Sequence, residues 1–143
     1  MLSIPYIPSR TKTHLLVGAE GFTQKLYLHL IHRFNIPEDI AYHLASTYGT
    51  DATRIAVLQQ TSRISPGYPY IEAEVIYAIR NEFAIKVTDI LARRTRLAFL
   101  DYHAACVALP RVLEIMSVEC GWSFEQQEDE RRNALQFLST MTN

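Results

Sequence analysis

YPYIEAEVIYAIRNEFAIKVTDILARRTRLAFLD, Tyr68 to Asp101, is the stretch that decides the fold. Ile71, Val75, Ile79 and Phe83 recur every four residues, which stacks them on one face of a helix. Glu72, Glu74, Arg80 and Glu82 lie off that stripe. The first two glutamates fall in the opening turn, where the helix dipole favours negative charge. Pro69 marks the start and biases Tyr68 to an extended backbone. Ile85-Lys86-Val87 interrupts the pattern. Thr88 then takes the position of an N-cap for a second, short helix, with Asp89 in its first turn and Arg93-Arg94-Thr95-Arg96 at its end.

Three arginines in four positions admit three readings. A solvated helix end suits cations, because the C-terminal dipole is negative. A nucleic-acid patch is disfavoured by a formal net charge of −1 and by the lack of any basic stripe extending the cluster. An interface is favoured, because Leu97-Ala98-Phe99-Leu100 follows at once and tethers the arginines beside apolar groups. The planar guanidinium fork suits carboxylates, phosphates or carbonyls at such a contact. On one short helix end Arg93, Arg94 and Arg96 point in different directions, so at most two face one partner. At least one is expected to be locked onto a backbone carbonyl or onto Glu72, Glu74, Glu82 or Asp89.

Working outward, Leu26, Leu30 and Phe34 give the stripe of a first helix over 23–34, with Asn35 as a left-handed C-cap. Pro37 opens a second helix with Glu38 and Asp39 in its first turn, and Gly49 stops it. Thr50 or Asp51 caps a third helix containing Ile55 and Leu58. QQTSRISPGYP is a loop of ordinary length, not a domain boundary. Beyond the central stretch, Asp101 caps a long helix to Cys120, with a kink or a fresh start expected near Pro110. Gly121 ends it, Trp122 packs back, and Ser123 with Gln126 forms a capping box for a last helix. That helix carries Arg131, Ala134, Leu135 and Leu138 on its apolar side. The result is an all-α fold, an irregular bundle of six or seven helices. An extended leader or interdomain connection occupies 1–14, with Pro5 and Pro8, and the helical domain 15–143. Leu15-Leu16-Val17 reads as a short strand before a turn at Gly18 and Gly21.

A chain of 143 residues, 48% apolar and 20% charged, has the composition of one globular domain. Fourteen basic against 15 acidic side chains argue against nucleic acid as a partner. No apolar run approaches the roughly 18 residues of a membrane span. Cys106 and Cys120, about 21 Å apart along one helix, are too distant for a disulfide and read as reduced packing residues. His29, His32 and His43 lack a neighbouring carboxylate to complete a metal set, and His14 and His103 have no evident partner. Gly18-Ala19-Glu20-Gly21 lacks the spacing of a dinucleotide loop, and no metalloprotease, serine-nucleophile or calcium-loop motif occurs. Glu72 and Glu74 are two apart and face different sides of a helix, so they are not an acid/base pair. Tyr68, Tyr70 and Tyr77 read first as packing rings with hydroxyls at a polar margin, and otherwise as a contact surface. No catalytic, cofactor-binding or metal-binding residue is assigned.

EAEVIYAIRNEFA, TDILARRTRLAFLD and ALPRVLEIM, preceded in order by LLVGAEGF, LYLHLIHRF and AYHLASTYGT, resemble the C-terminal helical domain of FAD-dependent glycerol-3-phosphate dehydrogenases. The resemblance covers 15–140. VGAEGF and ASTYGT bring it nearer to the mitochondrial branch than to the bacterial one. It implies a domain that packs on the N-terminal FAD and substrate region of the same polypeptide. Arg93, Arg94, Thr95, Arg96, Tyr70, Glu72 and Glu74 are its expected interdomain and structural residues. FAD then belongs to the full-length enzyme and not to this stretch. That enzyme is expected to oxidise sn-glycerol 3-phosphate to dihydroxyacetone phosphate, to pass electrons to quinone, and to associate with the mitochondrial inner membrane without a transmembrane segment here. The targeting sequence is expected in the parent polypeptide. The exposed docking surface further implies homo-oligomer formation by the isolated domain. An oxygen-using oxidase and a free-standing helical interaction module are the alternatives.

Overall fold

The computed structural model describes residues 14–141. The leader expected over 1–14 lies, apart from His14, outside them. Seven α-helices follow in order: α1 Leu26–Phe34, α2 Glu38–Tyr48, α3 Ala52–Ala56, α4 Glu72–Glu82, α5 Leu97–Leu100, α6 Tyr102–Cys120 and α7 Phe124–Ser139. A 3-10 turn, Gly49–Asp51, precedes α3, and a π-helical segment, Asp89–Arg94, precedes α5. No strand occurs among the described residues, where the one β-type pairing is an isolated bridge between Arg63 and Ile71. The strand expected at 15–17 is exposed coil.

Two apolar cores meet on α4. Leu30, Ile36, Ile40, Leu44 and Ile55 of the N-terminal helices close on Ile71, Ala73 and Tyr77. Ile90, Leu91, Leu97, Leu109, Val112, Met116 and Leu138 close on Val75, Ile76 and Ala78. A helix walled on both sides is buried all round, and Ile71 through Ala78 is buried without interruption. The single stripe read from the four-residue spacing is therefore corrected. Ile71 and Val75 serve different cores, Ile79 is half-buried, and Phe83 ends the helix in a left-handed conformation (φ 58°) with its ring 89% exposed.

Most terminal signals act as their chemistry dictates. Asn35 is left-handed, and its N–H donates to Ile31 O. Asp101 accepts from Ala104 N at 3.0 Å. Gly121 is left-handed, and Trp122 N returns to Ser117 O at 3.0 Å. Ser123 and Gln126 make both bonds of the capping box, at 3.2 and 2.9 Å. Ala134 and Leu138 are the buried residues of α7, whereas Leu135 is half-exposed. α1 starts at Leu26, later than expected, and Pro37 flanks α2 as its N-cap. Neither Thr50 nor Asp51 caps α3 through a side chain. Pro110 sits within one continuous helix, so no fresh helix starts there. Both cysteines are free and half-buried.

Candidate functional site

The loop over 60–71 has a structural task that its composition does not advertise. The opening N–H groups of a helix lack intrahelical partners. Here Ser62 O accepts from Glu72 N at 2.9 Å, and Gln60 O from Ala73 N at 3.1 Å. Ile71 N donates to Glu74 Oε1 at 2.9 Å, which is the glutamate half of a capping box. Glu74, 4% exposed, is thereby placed between the cores. Its other oxygen accepts from His43 Nε2 at 2.8 Å and from Tyr48 OH at 3.0 Å. A carboxylate can only accept, so the His43 ring carries its proton on Nε2. Burial first, and then Glu74, push the Tyr48 phenol far above its ordinary range.

Glu72 takes the opposite side of α4. It receives a two-pronged bond from Arg111 on α6, at 2.7 and 2.8 Å, and Arg111 also reaches Glu114 at 2.6 Å. Those carboxylates hold the Arg111 guanidinium above its ordinary value. Two positions on one helix thus brace it to α2 and to α6. Neither Arg111 nor the His43–Tyr48 pair was paired with these glutamates from the sequence. Partners 39 and 31 residues away leave no local spacing signal.

The arginine segment is built differently from the α-helix expected. Thr88 makes no side-chain cap. Asp89 instead braces the preceding turn: its Oδ2 accepts from Ile85 N and Lys86 N at 3.1 and 3.0 Å, while Oδ1 holds Arg93 at 2.7 Å. Glu130 accepts from Val87 N at 3.2 Å. Arg94 lies against Glu82, at 3.0 Å to its carbonyl and 3.2 Å to its carboxylate. Thr95 N bonds Ile90 O, five residues back, at 3.0 Å, and the buried Thr95 hydroxyl donates to the same oxygen at 3.0 Å. Arg96 follows in a left-handed conformation, φ 57°, and is exposed. The three arginines are therefore unequal: the side chains of Arg93 and Arg94 are tied within the chain, and that of Arg96 has no hydrogen bond or ion pair among the described residues.

The three tyrosines divide between the two cores. Tyr68 and Tyr70 stack with centroids 5.9 Å apart and planes 6° apart, and Tyr70 meets the His43 ring edge-on at 5.1 Å. Tyr68 OH donates to Asp101 at 3.1 Å. Burial and Glu74 raise the Tyr70 phenol, and the Arg96 charge partly offsets them. Tyr77 OH donates to Asp51 at 2.8 Å, and burial with that bond pushes it up to about 12. His29 and His32 are exposed on α1, and no metal-binding cluster occurs among the described residues.

Two open clefts flank this framework. One of about 400 Å³ lies between Phe83, Lys86, Asp89, Arg93 and Arg94. The other, about 550 Å³, is lined by Phe22, Lys25, Tyr27, Leu28 and Tyr42. Neither has the form of a dinucleotide cradle. The closest backbone approach of a glycine is internal: a Cβ on Gly18 would sit 2.1 Å from Tyr48 O, and one on Gly49 2.1 Å from Gly18 O. Thr50 N donates to Gly18 O at 2.9 Å, so the space that glycine opens is filled by the chain itself. The described residues form no cradle that fits FAD. Among the described residues, no helix is long and apolar enough to cross a membrane.

The molecule is thus an all-α domain braced about one central helix, with an arginine-bearing π turn at its surface. A family model described as the C-terminal domain of alpha-glycerophosphate oxidase matches residues 9–127, and the chain belongs to that family. It is 45% identical over 92% of its length to a probable mitochondrial glycerol-3-phosphate dehydrogenase of Dictyostelium discoideum, covering 21% of that protein. It is 39% identical over 92% of its length to the mitochondrial glycerol-3-phosphate dehydrogenase of Bos taurus, covering 19% of it. To the probable mitochondrial enzyme of Caenorhabditis elegans it is 38% identical over 87% of its length, covering 18% of it. The chain spans about a fifth of these curated relatives.

Proposed function

We propose that residues 15–143 form the C-terminal cap of an FAD-dependent glycerol-3-phosphate dehydrogenase of the mitochondrion. The cap packs on the N-terminal flavin and substrate region of the same polypeptide and does no chemistry alone. The observation that carries this reading is the family match over 9–127, joined to relatives about five times longer that are named as that dehydrogenase. The internal geometry is consistent with a supporting role, because each buried carboxylate is committed to holding helices. Glu72 is taken by Arg111, Glu74 by Ile71, His43 and Tyr48, and Asp89 by Ile85, Lys86 and Arg93. The full-length enzyme oxidises sn-glycerol 3-phosphate to dihydroxyacetone phosphate and delivers electrons to quinone at the inner membrane. Flavin binding and substrate oxidation belong to the other four-fifths of the polypeptide. Cut free, the cap exposes the docking surface that the N-terminal region covers in the full-length enzyme.

The test is a pair of preparations. The 143-residue chain is expected to be colourless and to reduce no dye with glycerol 3-phosphate, whereas the full-length polypeptide is yellow and turns over with a quinone analogue. A flavin spectrum or turnover in the short chain overturns the reading. The description of the matching family as an oxidase supports a second reading, with oxygen as the acceptor. Stoichiometric hydrogen peroxide from the full-length protein, without quinone reduction, selects it.

A further inference from the structure

Arg96 is held in a conformation that a side chain other than glycine or asparagine enters at a cost. The chain enforces it from one side through Thr95, whose hydroxyl donates to Ile90 O and accepts from Leu97 N at 3.3 Å. Such strain at an exposed residue calls for a purpose outside the fold itself. Arg96 is the one arginine among the described residues whose side chain makes no hydrogen bond, ion pair or ring contact. Its charge acts on the phenol of Tyr70, which stacks on Tyr68. Phe99 and Leu100, 58% and 62% exposed, follow it, and Val107, 58% exposed, lies on the next helix, α6. One oriented cation is thus set among apolar groups.

We propose that Arg96 is the anchor of the cap's docking face, and that it receives a carboxylate set in an apolar surface of the N-terminal region of the same polypeptide. This rests on the domain reading above and names the chemistry of its contact. A carboxylate matches the planar fork in two parallel bonds, and apolar surroundings strengthen such a pair by excluding water. A phosphate dianion calls for more than one free cation, yet Arg93 and Arg94 are already neutralised by Asp89 and Glu82. A second copy paired about a two-fold axis on this face would set Arg96 beside Arg96, like against like. The relatives supply the remaining occupant, since four-fifths of their length lies outside the matched region.

The experiment compares hydrogen exchange in the 143-residue chain and in the full-length polypeptide, each as wild type, Arg96→Gly and Arg96→Lys. Amides 97–100 and 104–108 are expected to exchange about tenfold more slowly in the full-length wild type than in the short chain, a protection lost in Arg96→Gly and partly kept in Arg96→Lys. Melting of the short chain moves the other way: Arg96→Gly relieves strain and melts at the same temperature or about 2 °C higher. A merely structural arginine would lower both quantities together, so a fall in melting temperature beyond about 3 °C overturns the proposal. So does wild-type protection in full-length Arg96→Gly. Protection in the full-length protein confined to another surface, such as 83–86, overturns the anchor and leaves the domain reading intact. No protection anywhere in the full-length protein overturns the docking reading itself. Protection that appears only with rising concentration of the short chain, or only with added vesicles, also overturns the proposal.

Discussion

Replacing Glu74 tests whether one buried carboxylate holds the two cores together. Glu74→Ala removes the acceptor for Ile71 N, for His43 Nε2 and for Tyr48 OH. Ile71 is fully buried, so its N–H is left unsatisfied, at about 1–3 kcal/mol. The half-buried Tyr48 phenol loses a charge-assisted bond, about 1 kcal/mol after water enters, and His43 recovers most of its loss from solvent. The sum is about 3 kcal/mol. For a chain of this length each kcal/mol lowers the melting temperature by about 3 °C, giving a fall of about 9 °C. Glu74→Gln keeps an oxygen for Ile71 N and a hydrogen-bonding group for the others, so the loss is about 1 kcal/mol, or about 3 °C. Helical circular dichroism followed against temperature reads both. A shift below about 2 °C for Glu74→Ala would refute the cross-brace. Equal losses for the two variants would show that the negative charge, and not the set of bonds, is what matters.

Arg111→Ala leaves Glu72 nearly buried and unpaired. The roughly 3–5 kcal/mol of a fully buried pair is reduced here because Arg111 is 42% exposed, and a loss of about 2 kcal/mol is expected by urea unfolding. Gly18→Ala and Gly49→Ala each drive a Cβ into backbone at a positive φ, and each is expected to cost at least about 2 kcal/mol and to raise exchange at Thr50 N. The Tyr77 and Tyr48 phenols titrate above their ordinary value, so the stability they confer is complete below about pH 10 and is lost as pH rises toward and beyond 12. Ultraviolet titration should show Tyr48 and Tyr77 among the last tyrosines of the native chain to ionise, with one fewer late-ionising group in Tyr77→Phe. Under non-reducing conditions both thiols, on Cys106 and Cys120, are expected to react with a thiol reagent after unfolding.

What was legible in the sequence was local. Caps at Asn35, Asp101, Gly121 and Ser123 depend on a few adjacent residues, and each formed as its chemistry dictates. The misreadings share a cause in tertiary context. A four-residue spacing implies one apolar face only when the other face meets water, and α4 has core on both sides. Phe83 continues the spacing, but the chain turns left-handed there and carries the ring to the surface. Thr88 makes no side-chain cap, and the Asp89 carboxylate instead reaches back to two amides of the preceding turn and forward to Arg93.

The arginine cluster shows how far composition alone can carry a reading of this surface. Sequence spacing requires that Arg93, Arg94 and Arg96 diverge, but it does not say which of them is satisfied internally. That choice follows from the π turn. Adding one residue to a helical turn shifts everything after it by about 100° around the axis. Thr95 closes that wider turn through Ile90 O, and Arg96 leaves it left-handed, beyond Asp89 and Glu82. Had the segment stayed α-helical, Arg93 and Arg96 would be neighbours on one face. The π turn separates one cation from a cluster that is otherwise neutralised, and a surface that ends in one free, oriented guanidinium is specific in what it can receive.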